Sequence, residues 1–77
     1  MTAVNMDYTD LRKLIRFLFG TETNFSTHIN MSSVSLSAKL NNKVGFTTKE
    51  IIEISDACHI SKEEIPRYFF TPVLKKT

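Results

Sequence analysis

Leu11, Leu14, Ile15 and Leu18 recur at three- and four-residue intervals, while Arg12, Lys13 and Arg16 fall largely on the other side. That spacing predicts an amphipathic helix over residues 8–19, with Asp7 as its cap. Gly20 follows the last apolar position as a C-terminal stop, and the cations in the later turns suit the negative pole of the helix dipole. A second helix is expected over residues 22–29, capped by Thr21, with Phe25 and Ile29 as an i, i+4 apolar pair. Asn30 stands where the chain needs a left-handed residue, and Asn accepts that conformation better than most residues other than Gly.

The third helix is expected over residues 33–40, capped by Ser32, with Leu36 and Leu40 as its apolar pair. Its remaining positions are mostly small or polar, so its own propensity contributes little, and its outer face is the one that matters. Asn41, Asn42 and Lys43 end it. A fourth helix starts at Thr47-Thr48-Lys49-Glu50, which has the form of a capping box. Ile51, Ile54 and Cys58 form its stripe, with Ile52 beside it. Ser61-Lys62-Glu63-Glu64 has the same form and predicts a fifth helix carrying Ile65, Tyr68 and Phe69. Pro66, at the fifth helical position, removes an amide that should bond backwards, so this helix is expected to be short or distorted. The fold class is therefore all-α, with five helices: an N-terminal arm over residues 1–6, one domain over 7–70, and a flexible tail over 71–77 that exposes Lys75 and Lys76.

Composition narrows the function. A chain of 77 residues forms one domain, with room for one core and one surface site but not for a deep catalytic cleft. The net charge is only +2, yet residues 23–49 contain no Asp or Glu while Lys39, Lys43 and Lys49 are present. Such a stretch is a candidate phosphate-facing surface; a solvated face carrying three lysines is the plainer alternative. The single cysteine, Cys58, allows no intramolecular disulfide and fits a reducing compartment. No run approaches a membrane span and the start does not read as a signal peptide, so a cytoplasmic protein is expected. His28 and His59 have no ligand-like spacing to each other or to Cys58, and Cys58 reads as a small core residue. Glu50, Glu53, Glu63 and Glu64 read as caps and solvated faces. No nucleophile–base set, phosphate loop or paired acid is recognisable, so neither an enzyme nor a cofactor or metal is expected.

The informative stretch is residues 21–43. Ser26 is small where a following helix must pack closely, Asn30 is permissive at the turn, and Met31 and Leu36 are apolar at the inner contacts. A bihelical unit crossing at a steep angle needs that arrangement, and it presents its second helix outward, sized for a major groove ~12 Å wide.

Three pieces in this order also resemble the helix-turn-helix domain of small repressors of the phage repressor and Cro class, from temperate phages and prophages of Gram-positive bacteria. They are Phe19-Gly20-Thr21 with Asn24-Phe25, Lys39-Leu40-Asn41-Asn42-Lys43 with Val44-Gly45-Phe46, and Glu63-Glu64-Ile65 with Tyr68-Phe69-Phe70. The resemblance implies a repressor that controls a lysis–lysogeny switch by occupying a double-stranded operator with its third helix. It places Ser32 and Ser33 at the start of that helix near phosphate or a base edge, and Val34, Ser37 and Ala38 at base edges. Lys39 and Lys43 would meet phosphates, Asn41 would position the following loop, and Thr21, Thr23 and Asn24 would offer the second helix's start to the backbone. A homodimer is expected, with Tyr68, Phe70 and Val73 at its interface.

Two departures keep a second function open. The third helix has no Arg, Gln or Asn at its outward positions, the types that make bidentate base contacts. Glu22 puts a carboxylate where these repressors often carry Gln near phosphate. The alternative is a protein-binding modulator or antirepressor of the same fold that associates with a partner phage repressor.

Overall fold

A computed structural model describes residues 5–73. Among them are five helices and no strand: α1 (Thr9–Phe19), α2 (Glu22–His28), α3 (Ser33–Leu40), α4 (Thr48–Ala57) and α5 (Ile65–Phe69).

The start of α1 differs from the expected one by a residue, for a packing reason. Tyr8 occupies the cap position and turns inward, where its ring meets Phe46 edge-on at 5.3 Å. Burial there raises its phenol pKa. Asp7 still caps: its Oδ1 accepts the Thr9 amide at 2.9 Å and the Thr9 hydroxyl at 2.6 Å. These two donors hold its carboxyl below the usual range. The buried stripe is narrower than the periodicity implied. Leu11 and Ile15 are sealed, while Leu18 is half exposed and Phe17 is 85% exposed.

Four reversals shape the rest. Gly20 closes α1 at φ 84°, its amide bonding to the Arg16 carbonyl. A Cβ would have space there, but an L-residue would be strained at that φ. After α2, α3 and α4 the left-handed position falls on Asn30, Asn42 and His59, at φ 57°, 63° and 58°. In each case the next amide reaches back five residues: Met31 to Ser26, Lys43 to Ala38 and Ile60 to Ser55, at 2.8, 2.9 and 2.8 Å. These are closures of the Schellman type.

The caps at Thr21, Ser32 and Thr47 form as expected, each side chain accepting an amide three residues on. Glu50 completes the Thr47 capping box. The second expected box does not form. Ser61 Oγ lies 3.2 Å from Glu64 Oε1, and the backbone over 62–64 is a turn, so α5 begins only at Ile65. Pro66 therefore sits in the first helical turn, where its missing amide costs nothing, and five residues of helix remain.

Phe25, Leu36, Leu40, Ile54, Cys58, Ile60 and Phe69 join Tyr8, Leu11 and Ile15 in one core. Phe46 bridges Tyr8 and Phe69, both edge-on. The arm and the tail are linked. Asp7 N donates to Thr71 O, Val73 N donates to Asn5 O, and Met6 and Pro72 form an antiparallel bridge. Asn42 clamps this clasp with its side-chain amide, which accepts from Met6 N and donates to Met6 O at 2.8 and 2.9 Å. Residues 71–73, expected as the start of a loose tail, are thus bonded, whereas Lys75 and Lys76 lie outside the described residues.

Two consequences can be measured. Ser55 Oγ is buried with no partner among the described residues, and such a hydroxyl costs about 1–3 kcal/mol. Ser55→Ala should leave thermal stability unchanged or raise it; a clear fall in the melting temperature would contradict this. Burial also pushes the Cys58 thiol up to about 11. Alkylation by iodoacetamide at pH 8 should be far slower in the native protein than in urea, and equal rates would mean the core is open at α4.

Candidate functional site

A concavity lies on the surface between α2 and α3. It is an open groove of about 580 Å³ lined by Glu22, Thr23, Ser33, Val34, Ser37, Ala38, Asn41 and Lys43. The sequence placed seven of these eight on a binding surface, and the exception is Glu22. The groove exists because Ser26 is small and 2% exposed where the helices cross, its hydroxyl satisfied by the Thr23 carbonyl at 2.7 Å. Leu36 and Leu40 turn the other side of α3 into the core. That leaves Val34 outward, 78% exposed above the small side chains of Ser33, Ser37 and Ala38.

Four of the expected contacts have their polar groups engaged within the protein. Thr21 and Ser32 use their hydroxyls as caps. Asn24 donates to the Phe19 carbonyl at 3.0 Å and so ties α2 to the end of α1. Asn41 is engaged on both sides of its amide: Oδ1 accepts Arg12 Nη2 at 2.9 Å, and Nδ2 donates to Ser37 Oγ at 3.2 Å. Tyr68 is half-buried under the Arg67 guanidinium, while Phe70 and Val73 are about half exposed.

Lys39 requires a correction. It was expected to meet phosphate, but its side chain is only 11% exposed. Its ammonium donates to the Gly45 carbonyl at 3.3 Å and pairs with Glu50 Oε1 at 3.2 Å. A lysine in the last turn of α3 is close enough to the loop carbonyls and the next helix's capping acid to be drawn inward. Burial alone would raise the Glu50 pKa, but the Thr47 amide and Lys39 outweigh it and hold the carboxyl below its usual value. Lys43 keeps its place at the groove, exposed.

Arg12 and Arg16 read in the sequence as the solvated side of the first helix, yet both reach Glu22 Oε2, at 3.2 and 3.4 Å. Arg12 thus spans from Glu22 on α2 to Asn41 at the end of α3. Their i, i+4 spacing put them on one face of α1. Which face that was depended on the turn at Gly20, which periodicity does not report. Elsewhere, His28 packs against Phe19, their rings tilted by 46° at 4.9 Å, and His59 serves its backbone turn. No group of three or more His, Cys, Asp or Glu that could hold a metal occurs among the described residues, and none of their helices is long and apolar enough to cross a membrane.

Residues 4–72 match the family described as a protein of unknown function, DUF739, and the chain belongs to that family. It is similar to a solution structure of the modulator of repression of the temperate bacteriophage TP901-1 from Lactococcus lactis. The TM-score is 0.77 at 34% identity, over 84% of this chain and 88% of that one. No curated protein matches. The five-helix fold is thus that of a small phage protein; membership of a Cro or repressor family is not what these likenesses give.

The Lys39–Glu50 pair predicts a pH dependence. Because the Glu50 pKa is lowered in the folded protein, its stabilisation is complete above the ordinary value and lost as the pH falls through the folded one. Glu50→Gln keeps the cap geometry but loses the charge, and should cost about 1 kcal/mol at pH 7. The gap to the wild type should close as the pH falls through the lowered Glu50 pKa. A gap that persists in acid would show that the pair contributes through packing alone.

Proposed function

We propose that this protein is a modulator of a phage repressor, docking on its partner through the α2–α3 groove. The likeness to the modulator of repression from TP901-1, over most of both chains, carries this reading. The geometry agrees in three respects. The outward side of α3 offers an apolar residue and small hydroxyls, suited to packing against a protein and poor at reading base edges. Lys39 is spent on Gly45 and Glu50. A carboxylate lies in the groove wall, and carboxylates and DNA phosphates repel. The role is non-catalytic and needs no cofactor: binding changes what the repressor does at its operator.

Direct operator binding, the leading reading from sequence, is the competing reading. The exposed Lys43 beside an outward α3 favours it. A mobility shift separates the two, using operator DNA and the repressor encoded at the same locus. The protein alone should leave the operator unshifted, and added to the repressor it should change the repressor's shift. A specific shift by this protein alone would overturn the modulator reading. Val34→Asp should weaken association with the repressor at least about tenfold, because a charge would enter the centre of the contact. Ile52→Asp, at a comparably exposed position on α4, should not. Equal effects of the two, measured by calorimetric titration, would move the interface away from the groove.

A further inference from the structure

The α2–α3 face holds more positive charge than it shows. Arg12 and Arg16 approach it from α1 and Lys43 from the loop after α3, yet Glu22 Oε2 takes both guanidinium groups at once. The Glu22 side chain is 22% exposed, and those of Arg12 and Arg16 are 27% and 60%. The acid and Arg12 are therefore similarly sheltered, and Arg16 stands further out. Side chains at this depth feel each other more strongly than fully hydrated ones do. A phosphate approaching Arg16 would have to compete with a carboxylate already in place.

We propose that Glu22 is a specificity determinant of this face: by pairing with Arg12 and Arg16 and cancelling one of their two charges, it keeps duplex DNA off a surface whose shape would admit it. The inference rests on reading the α2–α3 face as the binding face and adds how that face distinguishes a protein from a nucleic acid. An outward helix flanked by three cations has the form of a phosphate-binding surface. One acid on the same face cancels part of that field, while an apolar contact centred on Val34 depends little on it. Specificity then arises from a repulsive element against the unwanted ligand, beside an attractive one for the partner. The same acid holds Arg12 where it can donate to Asn41, tying α1 to the end of α3.

The test needs only this protein and DNA. Wild type, Glu22→Gln and Glu22→Asp are titrated against a fluorescently labelled 20-base-pair duplex of random sequence, by anisotropy, from 50 to 200 mM salt. Each phosphate newly contacted steepens the log–log salt dependence by about 0.9. Glu22→Gln should therefore bind roughly tenfold more tightly at the lowest salt, with a slope steeper by about one to two. Glu22→Asp keeps the charge and should behave as the wild type. Adding Arg16→Met to Glu22→Gln should remove about half of the gain in slope. Circular dichroism melts confirm that each variant is folded, and Glu22→Ala replaces Glu22→Gln if that variant is not. A neutral variant with wild-type affinity and slope overturns the proposal. So does an equal gain in Glu22→Asp, which would trace the effect to a loosened groove. Because no repressor enters this comparison, its failure is distinguishable from failure of the modulator reading.

Discussion

A short helix leaves its last carbonyls unpaired unless the chain turns sharply back on itself, and that turn requires one residue at positive φ. In this protein it happens after α2, α3 and α4, each time with a backward five-residue hydrogen bond and with Asn or His in the left-handed place. Short helices of modest propensity could not persist alone. The closures fix where each one stops, so that Phe25, Leu36 and Ile54 converge on one core. The groove, the Asn42 clamp on the arm and the inward turn of Lys39 all follow from where α3 is made to end.

That constraint also divides what the sequence disclosed from what it did not. Thr21, Ser32 and Thr47 announce their helices because a cap is a local contract between a side chain and an amide three residues on. Asn30 and Asn42 are similarly legible. His59 is less so, since Gly and Asn are the residues that usually mark a helix end. Ser61-Lys62-Glu63-Glu64 carries the signature of a box, but Pro66 is tolerated only near a helix start. The helix began where the proline allowed, and the box went unused. In the arm, Met6 and the Asn42 amide meet across 36 positions of chain, and no local pattern encodes such a contact.

The candidate site was legible in outline and misread in its charges. Periodicity located the outward side of α3 because Leu36 and Leu40 define the inward one. It could not tell that Lys39, next to the core-facing side of α3, would find an acid and a carbonyl within reach. Nor could it place Arg12 and Arg16, since both belong to α1 and meet α2 only after the reversal at Gly20. Charge assignments made from sequence count residues; the field at a surface depends on which charges pair.

Pairing is also where this fold can change its ligand without changing its shape. The backbone that offers α3 outward is set by caps, turns and a small Ser26, and none of these distinguishes DNA from protein. What remains for that choice is a handful of side chains: an apolar residue at the centre of the groove, an exposed Lys43, and the acid between two arginines. Reading base edges takes bidentate donors aligned on the helix, which α3 lacks. Packing against a protein takes an exposed apolar anchor surrounded by satisfied polar groups, and Val34 has that setting. Asn41, Ser37, Arg12 and Glu22 are already bonded to one another at its edge. A partner that buries this face therefore need not strand their hydrogen bonds, which lowers the polar cost of docking.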